Sequence, residues 1–96
     1  MDAIDEMHKA LKEFLEKINS TGIENINSAD IEKLDKFSID AKGLGMDQGK
    51  KLIDNLSIIL KSFKEGKSGI GSVSIRITAL DFYLKNTQGG ASTEEL

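Results

Sequence analysis

Within residues 2–19, Ile4, Met7, Leu11, Phe14, Leu15 and Ile18 recur at intervals of three and four. An α-helix turns once in about 3.6 residues, so this spacing gathers all six on one face. Asp2 stands where a cap belongs. Asp5 and Glu6 fall in the first turn, where carboxylates meet the positive end of the helix dipole. The 96 residues contain no proline, the residue that most strongly interrupts helix interiors.

The same periodicity returns further along. "NSTGIENINS" (Asn19 to Ser28) is a turn-rich connector, and Asn27 or Ser28 suits the cap of a second helix over 29–42. Its face carries Ile31, Leu34, Phe37, Ser38 and Ala41. Gly43 and Gly45 stand where a helix end needs a left-handed residue. A third helix, 47–65, has Asp47 as its expected cap. Leu52, Ile53, Leu56, Ile59, Leu60 and Phe63 line one face, and Ile58 widens it. "EGKSGIGS" (Glu65 to Ser72) then breaks the chain.

The last segment, 72–86, supports two readings. Val73, Ile75 and Ile77 alternate with Ser74, Arg76 and Thr78, as in a strand. Val73, Ile77, Leu80 and Leu84 also repeat at helical spacing. About fifteen residues is long for a strand, and no other segment alternates well enough to pair with it, so helix is the expectation. No internal repeat is evident. The expected architecture is all-α, a four-helix bundle over residues 1–86, followed by a small polar disordered tail, 87–96. The alternative is an α+β fold with Val73–Ile77 as a strand.

Composition removes several functions. The chain is 39% hydrophobic and 30% charged, ordinary for one folded soluble domain. With no cysteine it has no disulfide, thiolate zinc site or cysteine nucleophile. A small secreted domain usually needs disulfides, so the expected compartment is the cytoplasm. A net charge of −3 and a single arginine, Arg76, argue against nucleic acid as partner. No apolar run approaches the roughly 18 residues of a membrane span, so no membrane is expected. The first residues lack the basic start and apolar block of a signal peptide.

Glycine-rich stretches invite a phosphate-loop reading and fail it. Gly43, Gly45 and Gly49 miss the spacing of the dinucleotide fingerprint by one residue, and they follow a helix rather than a strand. Gly43 to Gly49 is also one residue too long for a P-loop, and Lys50 is followed by Lys51 instead of a hydroxyl. "GKS" at 66–68 has Lys61 where that loop needs glycine.

Lys42, Gly43 and Gly49 do fit the spacing H-x-x-K-G-x-x-x-x-x-G. Over these eleven residues the chain resembles histidine-phosphotransfer domains, four-helix bundles that carry this motif on their second helix. In that family the histidine accepts phosphate, the lysine helps position it, and the glycines clear room for a response regulator. Here the histidine position is Ile39. The resemblance therefore implies no phosphotransfer. It implies at most a degenerate relative that binds a receiver domain.

His8, the one histidine, lies beside the apolar stripe of the first helix, with no second histidine or cysteine to share a metal. An enzyme or metal protein built on His8 is a further alternative. The bland expectation is a boundary histidine. Asp81 is the acid expected to be partly buried, with Arg76 five residues earlier. Residues 50–67 hold five lysines against Asp54 and Glu65, while the first helix holds five acids against three lysines. Unlike helices would attract within the bundle.

Ile39, Ile58, Ile75 and Phe82 fit the main stripes poorly, which makes them either wide-core residues or an exposed patch. The expectation is a non-catalytic protein without cofactor that binds another protein or forms a homodimer. Its candidate partner surface comprises Ile39, Lys42, Gly43, Gly49, Ile58, Lys61, Ile75 and Phe82.

Overall fold

The computed structural model describes residues 2–87. It contains four helices: α1 (Ala3–Thr21), α2 (Ser28–Gly43), α3 (Asp47–Lys64) and α4 (Ile70–Thr87), with a 3-10 turn at Ile23–Asn25. The described residues hold no strand, so Val73–Ile77 is helical and the bundle expectation holds. The tail expected to be disordered, 87–96, lies outside the described residues apart from the helical end at Thr87.

Local signals set the helix ends. The Asp2 side chain accepts from the Asp5 amide, as its position suggested. Asn27 and Asp30 form a reciprocal capping box at the start of α2. At the end of α2, Gly45 takes the left-handed conformation (φ 74°) while Gly43 remains helical. The Met46 amide donates to Ala41 O and the Gly45 amide to Lys42 O, the paired bonds of a Schellman motif. Met46 is thereby driven into the core and becomes the residue before α3. Asp47 is thus not the cap: it is the first helical residue, and the cap position makes no side-chain hydrogen bond. Gly66 (φ 76°) ends α3 by the same device.

Short connectors place sequence neighbours side by side. α1 packs on α2 and α4, α2 on α3, and α3 on α4, which closes a ring around one core. Leu11, Leu34, Ile53, Leu56, Leu60, Val73 and Leu80 fill it completely shielded from solvent. Phe14 and Phe37 meet edge to face at 5.8 Å between α1 and α2. The faces read for α2 and α4 are the buried ones, as is that of α1 apart from the partly covered Ile4. On α3, Leu52, Ile59 and Phe63 are only partly covered.

Candidate interaction surface

All four apolar residues that missed the main stripes are exposed: Ile39 by 71%, Ile58 by 63%, Ile75 by 62% and Phe82 by 66%. Ile58 therefore does not widen the core face of α3. At about 100° per residue it sits roughly 140° round the helix from Ile53, too far to reach the interior.

These residues do not form one patch. Ile75 and Phe82 line an open groove between α3 and α4, about 590 Å³, with Gln48, Leu52, Ala79 and Tyr83. Ile39 and Gly43 line another between α1 and α2, about 490 Å³, with Met7, Ala10, Phe37 and Leu44. In the closed ring these grooves lie on opposite sides. Ile58 borders neither.

The α4 surface has a definite pattern. Its inner face is Val73, Ile77, Leu80 and Leu84. Its outer face is Ser72, Ile75, Ala79, Phe82 and Asn86, spaced three, four, three and four. None of these five is charged, and Ala79 alone is partly covered. The flanking charges are few: Asp81 is half-buried and holds Lys85 at 3.0 Å, while Arg76 is exposed. α4 is thus apolar on two faces, one closed by the bundle and one open. That double pattern also explains the strand-like alternation of Val73, Ile75 and Ile77, which are inner, outer and inner residues of a helix.

Gly49 does not belong to the surface. It is buried in α3 beneath Tyr83, where an added Cβ would stand 2.7 Å from Oη. Glycine is needed there because the tyrosine ring occupies the space. Gly43 has nothing within 4 Å of such a Cβ. Lys42 and Gly43 are exposed at the end of α2, whereas Gly49 lies on the next helix and faces inward. The positions matching the phosphotransfer motif are therefore split by the α2–α3 turn instead of sharing one helix.

The glycine-rich turn itself spends its amides on the protein. Those of Leu44, Gly45 and Met46 donate to carbonyls at the end of α2, and that of Lys50 to the Met46 carbonyl.

His8 is more buried than a boundary residue. Its ring meets Tyr83 edge-on at 6.0 Å, between α1 and α4. Burial lowers its pKa by more than Asp5 and Asp2 raise it, so neutral imidazole is favoured. Among the described residues, no three His, Cys, Asp or Glu side chains are grouped to hold a metal ion.

One constellation was missed in the sequence. Ser38 on α2 donates to Asp54 on α3 at 2.5 Å, and Ser57 on α3 donates to Asp35 on α2 at 2.7 Å. Each carboxylate also meets an α3 lysine: Lys50 at 2.6 Å from Asp54, and Lys61 at 3.4 Å from Asp35. Burial pushes Asp54 up, but hydrogen bonds from Lys50 and Ser38 and the lysine charge outweigh it, holding the carboxyl below its ordinary value. The signal was present as "LDKFSI" (34–39) and "IDNLSI" (53–58), a short internal echo. On antiparallel helices an Asp-x-x-Ser pair meets its copy twice. Both serines are buried in the joint, so the two clusters lock α2 to α3. Lys61, a candidate surface residue, is occupied in this lock, though still exposed.

Comparison with known proteins gives no match, whether to a family model, a curated protein or a solved structure. Among the described residues, no helix is long and apolar enough to cross a membrane.

Proposed function

We propose that this chain is a non-catalytic interaction module whose docking surface is the outward face of α4. The observation that carries the reading is the exposure of Ile75 and Phe82, seven residues apart with Ala79 between them. Spacing of three and four on an uncharged strip suits an approaching helix, whose side chains interleave with such a row. Large side chains flanking a small one leave room for close approach. The absence of cysteine favours a reducing compartment, and a cytoplasmic location accords with it.

The test is a paired comparison of the native chain with Ile75→Asp/Phe82→Asp. Both positions are exposed, so the helical circular dichroism should be unchanged, as should the unfolding midpoint at concentrations too low for association. Every association detected by ultracentrifugation and by affinity capture should weaken sharply in the variant. Identical associations in both proteins would remove α4 from the interface.

A further inference from the structure

We infer that the occupant of the α4 face is a second copy of this chain, its α4 packed antiparallel. This rests on the helix-docking reading above and names its partner. The argument is the symmetry of the strip. From Ala79, the residues outward are Ile75 and Phe82 at four and three positions, then Ser72 and Asn86 at seven. The order is small-polar, large, small, large, polar, and it reads alike in both directions.

A two-fold axis brings one patch against itself, so an isologous contact needs a self-complementary patch. With the axis beside Ala79 and perpendicular to α4, Ala79 faces its own copy. Ile75 then faces Phe82 of the second copy, and Ser72 faces Asn86. Apolar meets apolar, and a hydroxyl meets an amide that can hydrogen-bond it.

Charge agrees with this placement. The five strip residues carry none, and Lys85 is already held by Asp81 within its own chain. No strip residue sets a like charge against its copy, and the exposed Arg76 stands beside the seam rather than in the row. The rest of the molecule favours other partners less. The α1–α2 groove has Glu6 and Asp40 on its lining, so copies meeting there would oppose carboxylates. Ile58 stands among the lysine and aspartate pairs of the α2–α3 lock. The α3–α4 groove is bounded by Leu52 and Gln48 on its other wall, so the incoming helix also gains a contact with α3.

The absence of cysteine gives a clean test. Ser72→Cys and Asn86→Cys are prepared separately in the full chain and oxidised singly and as a mixture. Phe82→Asp and the milder Phe82→Ser serve as controls, with circular dichroism confirming that each folds. Antiparallel pairing predicts little dimer from either single variant, and abundant mixed disulfide from the mixture. Introducing Phe82→Asp into both partners should abolish it. Disulfide from each variant alone, with none in excess in the mixture, overturns the antiparallel arrangement. A native chain that stays monomeric but captures another protein through Phe82 overturns the second copy and leaves the docking reading standing. A monomer whose associations ignore Phe82 overturns both.

Discussion

Gly49→Ala probes the joint between α3 and α4. On a solvent-facing helix position, replacing glycine by alanine stabilises by about 1 kcal/mol. Here the new Cβ would lie 2.7 Å from Tyr83 Oη, 3.1 Å from Cζ and 3.3 Å from Cε2. Ordinary contact begins at 3.4 Å, so the hydroxyl must retreat by 3.4 − 2.7 = 0.7 Å. Tyr83 is buried with its ring edge-on to His8, so moving the hydroxyl disturbs packed neighbours. Overpacking of this kind costs roughly 1–3 kcal/mol. Subtracting the helix gain leaves an expected net loss of about 1 kcal/mol. Urea unfolding should show a lower midpoint at constant slope. Tyr83→Phe removes the closest atom, so the double variant should recover part of the loss, with a coupling of about 1 kcal/mol. The cycle cancels any effect of the hydroxyl on its own. Stabilisation by Gly49→Ala, equal with and without the tyrosine hydroxyl, would refute the contact.

Other perturbations separate neighbouring residues that look alike in sequence. Gly45→Ala should cost about 1 kcal/mol because φ is positive there, whereas Gly43→Ala, helical with open space, should be neutral or stabilising by up to about 1 kcal/mol; thermal unfolding distinguishes them. Ser57→Ala and Ser38→Ala should each cost about 1 kcal/mol by breaking one arm of the α2–α3 lock, with chemical denaturation as the readout. The folded pKa of His8 is depressed below its unfolded value of 6.5. The folded state therefore binds fewer protons than the unfolded one as pH falls through that value. Stability is full above that pH and is lost on acidification, and His8→Gln should flatten this slope in urea midpoints measured across the range.

Most of the architecture was legible because it rests on local rules. Six apolar residues on one face of α1, and four with Ser38 on α2, specify a helix and the side it buries. Asp2 and the Asn27 box were readable because a cap is a short-range hydrogen bond. Asp47 misled because the turn before it is fixed by Met46, whose burial depends on the whole core. Gly49 was placed on the candidate surface, but the residue that covers it, Tyr83 on α4, is 34 residues away in sequence (83 − 49). Distances of that kind are not encoded in spacing. The ambiguity of residues 72–86 was informative. A segment that reads both as alternating and as helical is a helix with two apolar faces, and the second of them is the candidate surface. The Asp-x-x-Ser echo was visible but silent, because its meaning depends on α2 and α3 running antiparallel at contact distance.

Sedimentation equilibrium of the native chain and Phe82→Asp, over a wide range of concentration, tests the central claim most directly. The chain weighs 10.5 kDa. The native protein should rise to twice that mass as concentration increases, while Phe82→Asp, equally helical, stays at the mass of one chain. A native protein that remains at 10.5 kDa throughout, or a variant that dimerises equally well, would contradict self-association through α4.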